Sequence, residues 1–424
     1  MEETMKYSFL GAALITLSFN ALSGESFFAP LDVNSLHDQE IEREVKGEAP
    51  RFAIPHDIHF NSLTDKSSWT EVNGKMVWTH RVVAPNSVSL NFGFTKFNLP
   101  ESAELKIYSS DFSKNMRSFT AMDNNVDRQL WTPVILADDV TIELAVDAKE
   151  LNLVELELGR VGQGFRTFAQ KSAKAGACNV DVACSEGDEW REEIDSVAVI
   201  SRGGSTFCTG FMVNNTQNDK TPYFMTANHC GITAANAASL VTYWNYQRST
   251  CRGSRANRSN QFNTGSQFLA SSARSDFTLV RLNTAPRSEW NVSYAGWDRS
   301  GDEASMAVAI HHPATDEKSI SFEMDPTTTT MYLKNDIVKN GTHVRVTDWD
   351  KGTTEPGSSG SPLFNQDHRV IGQLHGGYAS CTSRTSDWYG RISVSWNGDG
   401  TPSTRLKDHL DSANRGMRFT DTIR

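Results

Sequence analysis

Gly357-Ser358-Ser359-Gly360-Ser361-Pro362 is the stretch on which the reading of this chain turns. A serine between glycines can sit on a backbone turn tight enough to aim its hydroxyl outward. Two upstream segments complete it. Thr226-Ala227-Asn228-His229-Cys230 sets a histidine beside a cysteine, and Ser275-Asp276-Phe277-Thr278-Leu279 sets an aspartate at the head of an apolar run. A serine hydroxyl is a poor nucleophile, so acyl transfer needs an adjacent base and a third group that fixes the tautomer of that base. His229 is the expected base, Asp276 its orienting carboxylate and Ser359 the nucleophile. Ser358 and Ser361 are rivals, but only Ser359 has a glycine two residues before it and another directly after it. The N–H groups of Gly357 and Ser359 are the expected oxyanion donors, each worth about 10²–10³ in rate in other enzymes. Singly, these residues have plainer explanations: a structural histidine, a turn aspartate, a flexible serine loop. Their occurrence together, in the order His, Asp, Ser, favours the catalytic reading.

Composition narrows the setting. A chain of 424 residues is long for one domain, and roughly two or three are expected. A net charge of −10 leaves no basic excess to neutralise phosphates, which argues against general nucleic-acid binding. At the N-terminus Lys6 precedes an apolar run over residues 7–19 and then Ala21-Leu22-Ser23-Gly24. That pattern reads as a secretory signal peptide over residues 1–24. The run is shorter than the ~20 residues a membrane helix needs, so no membrane span is expected and the protein reads as secreted, extracellular. All six cysteines (Cys178, Cys184, Cys208, Cys230, Cys251, Cys381) follow residue 177. An even number in an exported chain reads as three disulfides, with the connectivity left open by sequence alone. No C-x-x-C pair is present to suggest a zinc ribbon.

Residues 25–55 are polar and acidic and read as an amphipathic helix or loose lead-in. From 69 to 162 short alternating runs such as 76–83, 103–108 and 140–146 are separated by turn residues, which suggests an antiparallel β-sandwich. Residues 163–177 form a polar, basic connector with the character of an exposed linker. The remainder is again β-rich, with strands expected at 197–201, 210–213, 223–226, 240–244, 277–282, 306–310, 370–374 and 389–394, and a closing helix at 404–410. The pair His311-His312 lacks an H-E-x-x-H pattern or a carboxylate at ligand spacing, so neither metal nor cofactor is implied. Four N-x-S/T sequons, starting at Asn214, Asn257, Asn291 and Asn340, mark loops expected to be exposed.

At this point the chain resembles the trypsin clan, through Thr226-Ala227-x-His229-Cys230 and Gly357-Ser358-Ser359-Gly360-Ser361-Pro362. Within that clan it is most similar to the bacterial lysyl endopeptidases, secreted enzymes that cut after lysine. The likeness runs from about Cys178 to near the C-terminus, through Cys178-Asn179-Val180-Asp181, Cys208-Thr209-Gly210, Val241-Thr242-Tyr243-Trp244-Asn245-Tyr246-Gln247, Ala295-Gly296-Trp297-Asp298-Arg299, Ile310-His311-His312-Pro313 and Gly372-Gln373-Leu374-His375-Gly376-Gly377. The resemblance implies an all-β catalytic domain, a trypsin-like double six-stranded β-barrel with its site between the barrels, over residues 175–424. A cysteine-free, β-sandwich-like propeptide would occupy residues 25–174. The family's pairing, carried over, implies Cys178–Cys381, Cys184–Cys251 and Cys208–Cys230.

The same resemblance places the substrate anchor. Six residues before Ser359, where trypsin itself holds its specificity aspartate, stands Thr353. The family points instead to Asp387, whose carboxylate would meet a lysine ammonium as a point charge. Glu355 is a second candidate anion, though its closeness to Ser359 favours a position at the rim. His375 matches a histidine that the family sets beside the triad under a stacked tryptophan. That tryptophan has no clean counterpart in Met331-Tyr332-Leu333-Lys334. Ser358 stands where trypsin carries the aspartate that receives a new N-terminal amine, so that route of activation is not available. Lys174, with Lys171 as alternative, lies just ahead of Cys178 and is the expected self-processing site. The implied partners are protein and peptide substrates and the chain's own propeptide, around a monomer. Broader cleavage after Lys and Arg, or an inactive binding protein on this fold, are the alternatives.

Overall fold

The computed structural model describes residues 24–46, 48–64, 69–166, 178–254 and 260–424. The expected signal peptide, apart from Gly24, and the expected processing lysines Lys171 and Lys174 lie outside the described residues.

Alternation builds the N-terminal half. The strand Asp139–Asp147 runs D-V-T-I-E-L-A-V-D, and its period of two turns Val140, Ile142, Leu144 and Val146 to one fully buried face. Among the described residues this strand belongs to a five-stranded sheet with Lys75–Val83, Glu104–Ser109, Trp69–Val72 and Glu25–Phe27. A four-stranded sheet of Ala53–Asn61, Glu155–Gly164, Ser89–Asn98 and Leu130–Trp131 faces it. Trp78, Leu105, Phe92, Phe94, Phe97 and Leu156 from the two sheets share one core. The polar lead-in is a helix, Val33–Val45, capped by Asp32, whose Oδ1 accepts from Ser35 N–H at 3.2 Å. Only Leu36 of that helix is buried.

The C-terminal half is the all-β, trypsin-like protease fold. Its first sheet orders Phe262–Thr264, Leu240–Tyr243, Val197–Arg202, Thr206–Met212, Tyr223–Ala227, Phe277–Leu282 and Ser266–Ser272. The second has ten strands among the described residues, with Ala307–His311, Pro362–Asn365, Val370–Gly377, Asp387–Arg391 and His343–Val346 running through its middle. Both sheets exceed six strands because short edge pairs such as Val180–Asp181 join them. The strand expected to run to residue 394 stops at Arg391 and continues as a helical turn, Ile392–Ser395. The closing helix is likewise shorter, Lys407–Leu410 behind a 3₁₀ turn at Pro402–Thr404. Disulfides join Cys178–Cys381, Cys184–Cys251 and Cys208–Cys230, the pairs the resemblance implies.

The two halves share packing. Phe207, Val241, Tyr243 and Phe262 of the first protease sheet belong to the same core as the sandwich. Pro50 to Phe52 lie along the backbone of Ser205 to Phe207: Phe52 N–H donates to Ser205 O (2.8 Å) and Phe207 N–H to Pro50 O (3.0 Å). Among the described residues no helix is long and apolar enough to cross a membrane. The sequon residue Asn214, expected on an exposed loop, is buried, because its Nδ2–H₂ donates to Asn218 Oδ1 and Asp421 O. Asn291 and Asn340 are exposed, and Asn257 lies outside the described residues.

Candidate active site

Strand pairing brings the first two residues together. Ala227 faces Phe277 across adjacent antiparallel strands, so the turn after one strand and the residue before the other meet at the same end of the sheet. His229 occupies that turn, Asn228–Cys230, and Asp276 has φ 54°, a left-handed conformation that aspartate tolerates better than most residues. The backbone N–H of His229 donates to Asp276 Oδ1 (2.9 Å), and its Nδ1 lies 2.8 Å from Asp276 Oδ2. Asp276 is almost fully buried. Burial alone would lower the His229 pKa, but the charge of Asp276 and its hydrogen bond outweigh that and hold the imidazole above its ordinary value.

Ser359 sits on the loop that leads into the strand Pro362–Asn365. Gly357 (φ +99°) and Gly360 (φ +82°) both need the left-handed region. A Cβ on Gly357 would strike the Phe207 ring, and one on Gly360 would strike Thr226 and Thr209. That close approach seats the serine against the first sheet: Thr209 N–H donates to Ser359 O (2.9 Å), and Cys230 Sγ lies 4.0 Å from the same oxygen. Among the described residues neither Gly357 N–H, Ser359 N–H nor Ser359 Oγ makes a hydrogen bond. Two backbone donors and a hydroxyl thus stand uncommitted on one turn. Ser358 points the other way, its Oγ 2.8 Å from His311 Nδ1, while His311 Nε2 lies 3.0 Å from Ser321 Oγ. Burial drives the pKa of His311 down to about 3, so this strut is neutral.

Asp387, at the head of its strand, is 1% exposed. Trp349 Nε1–H (2.7 Å) and Thr354 Oγ1–H (2.6 Å) both donate to its Oδ2. Burial raises its pKa to about 6, with these hydrogen bonds opposing the shift. Thr354 lies on the segment that leads to Ser359, and Gly377, which pairs with Asp387, ends the strand that carries His375. Glu355, expected at the rim, is instead buried and accepts from Asn179 Nδ2 (2.8 Å).

His375 lies beside the pair His229–Asp276, its Nε2 3.8 Å from Asp276 Oδ2. A register shift between Leu374 and Gly376 interrupts the strand at this residue. The missing tryptophan is replaced by Tyr332, whose ring stacks on His375 at 3.6 Å and 2°. The sequence contained that aromatic, but only the fold turns the 331–334 segment over the imidazole. His343, on the far side, was not anticipated at all. His229, Asp276 and His375 offer ligand atoms within 4.8 Å of one another. A cation there would have to displace the proton shared by His229 and Asp276, so the arrangement fits acid–base chemistry better than metal binding.

A sequence model described as the lysyl endopeptidase C-terminal domain matches residues 172–390, just over half of the chain. The chain belongs to the lysyl endopeptidase family. A relative described as lysyl endopeptidase, from Pseudomonas aeruginosa, is 29% identical over 331 residues, spanning 70% of this chain and 67% of that protein. This family member is a serine endopeptidase, with proteins and peptides as its substrates. Among solved structures, Rv3671c from M. tuberculosis in an inactive form matches at 12% identity over 51% of this chain and 91% of its own, with a TM-score of 0.32. The HtrA-type protease AlgW with a tripeptide matches at 14% over 49% and 60%, with a TM-score of 0.34. Overlaps this loose have no bearing on the site.

Proposed function

We propose that this endopeptidase cleaves on the carboxyl side of lysine through His229, Asp276 and Ser359, and that it is secreted as a precursor which processes itself. In this reading Ser359 Oγ attacks the scissile carbonyl as its proton passes to His229 Nε2. Asp276 stabilises the imidazolium that forms, and Gly357 and Ser359 N–H take the oxyanion. His229 then protonates the leaving amine, and water repeats the cycle on the acyl-enzyme. The Pseudomonas aeruginosa relative's description as a lysyl endopeptidase supports the specificity.

The observation that carries lysine over arginine is the state of Asp387. Its Oδ2 is already taken by Trp349 and Thr354, and the backbone of Ala379 also hydrogen-bonds the carboxylate, so two free oxygens are not on offer to an incoming cation. An ammonium needs one; the planar fork of a guanidinium makes its best pair with two. Cleavage rates of matched peptides with Lys, Arg or Leu before the scissile bond test this. Lysine cleavage undiminished in Asp387→Asn would exclude the residue as anchor, and equal rates for Lys and Arg would favour the broader specificity.

Self-processing is supported by the internal strut His311–Ser358, which does for the oxyanion loop what a new N-terminal amine does elsewhere. A precursor built this way has its oxyanion donors set before any bond is cut. Residues 25–174 act as a propeptide, and the contacts of Pro50 to Phe52 with Ser205 to Phe207 would keep it docked beside the nucleophile loop. Ser359→Ala precursor, made without other proteases, should stay intact. Maturation of that variant at the same bond, Lys174 or Lys171, would refute self-processing.

A further inference from the structure

Behind His375 lies a line of hydrogen bonds that the reaction scheme leaves unused. His343 Nε2 lies 3.0 Å from His375 Nδ1, and Thr342 Oγ1 lies 2.8 Å from His343 Nδ1. His343 is 1% exposed and Thr342 is 5% exposed. Both are held by the second sheet: His343 pairs with Gly390 and Thr330, and Arg391 N–H donates to Thr342 O (3.1 Å).

We propose that Thr342 and His343 are positioning residues that fix His375 as the Nε2–H tautomer, so that it points a donor at Asp276. Only two proton orders satisfy the line. In one, Thr342 O–H donates to His343 Nδ1, His343 Nε2–H donates to His375 Nδ1, and His375 Nε2–H faces Asp276 Oδ2 at 3.8 Å. In the other every bond reverses, a lone pair of His375 faces the carboxylate, and the Thr342 hydroxyl is left with Met331 Sδ at 4.0 Å. A thioether is a weak acceptor, and a lone pair aimed at a carboxylate is repelled. The first order is therefore selected at both ends. Burial keeps the two rings neutral, His343 at about 3 and His375 at about 4, as the line requires. The titratable groups facing His375 are Asp276, His229, His343 and Tyr332, the last raised to about 12 chiefly by burial.

This inference rests on the triad reading and extends it. A donor on His375 turns a positive edge rather than a lone pair toward the Asp276 carboxylate, and the line resists protonation of His375, which would place a second cation beside His229. The test uses the secreted enzyme and a peptide that wild type cleaves. Nitrogen-15 NMR of the imidazoles reports which nitrogen of His375 carries the proton. The expected result is Nε2–H in wild type and a mixture in His343→Leu, with kcat lowered about fivefold, the worth of one neutral hydrogen bond, and KM nearly unchanged. His343→Gln, whose amide can donate to His375 Nδ1, should restore most of kcat, and Thr342→Val should show a smaller loss. The proposal falls if wild-type His375 carries its proton on Nδ1, or if His343→Leu keeps the wild-type kcat. Should His343→Leu fail to fold, the wild-type tautomer and Thr342→Val still decide. Activity surviving in Ser359→Ala would refute the triad instead, and leaves the tautomer measurement standing.

Discussion

The two halves of this chain are both β-rich, and they differ in what they bury. The sandwich closes its sheets over Trp78, Phe92, Phe94, Phe97 and Leu105, and has no cysteine. The protease half buries His311, His312, His343, Asp276 and Asp387. Such groups are costly to desolvate without partners, and all three disulfides lie in this half. The contrast lies in charge: among the described residues the first half also buries polar groups, His80, Asn91 and Gln163, but no carboxylate, whereas the second holds carboxylates such as Asp276 and Asp387 out of water.

The largest effect expected is on that chemistry. Ser359→Ala and His229→Ala should each lower kcat by at least ~10⁴, with the fold intact by circular dichroism. Matching losses in sandwich variants that remain folded would erase the contrast. Asp387→Asn should lower kcat/KM for lysine substrates by about 10²-fold or more, because the substrate ammonium loses its buried partner. The same change should raise Tm at pH 8. The folded carboxyl, at about 6 against an ordinary 3.8, holds its proton more tightly than the unfolded chain, so stability falls as pH rises from about 4 to 6. Removing the charge removes that penalty, a gain on the order of 3 kcal/mol.

Disulfide loss should divide the halves in another way. Cys178–Cys381 closes a separation of 203 residues and Cys208–Cys230 one of 22, so their removal should cost about 5 and about 3 kcal/mol in the chain-entropy model. Thermal melts of the two double serine variants should show those losses in the protease half. The smallest effect concerns pH. KM for a lysine substrate should rise as pH falls through about 6, where Asp387 gains its proton, while KM for a leucine substrate should not follow it.

The sequence was legible where a local rule is strong. The alternation over Asp139–Asp147 announced its strand, and the glycines around Ser359 announced a turn. It was silent where residues meet only in space. Tyr332, in the turn after the strand Thr328–Thr330, and His343, on the second sheet, approach His375 from 43 and 32 positions away along the chain, with no spacing that could announce either. Asn214 carried an exposure signal that its own hydrogen bonds overrule. Residues 392–394 continue an apolar run as a helical turn because the chain must leave the sheet there, and periodicity alone cannot locate that exit.

The central claim is that Ser359, activated by His229, is the nucleophile. Labelling with a fluorophosphonate, followed by peptide mapping in a mass spectrometer, tests it most directly. The account predicts a single adduct on Ser359 in wild type and almost none in His229→Ala. An adduct on Ser358 or Ser361, or labelling of Ser359 that is indifferent to His229, would contradict it.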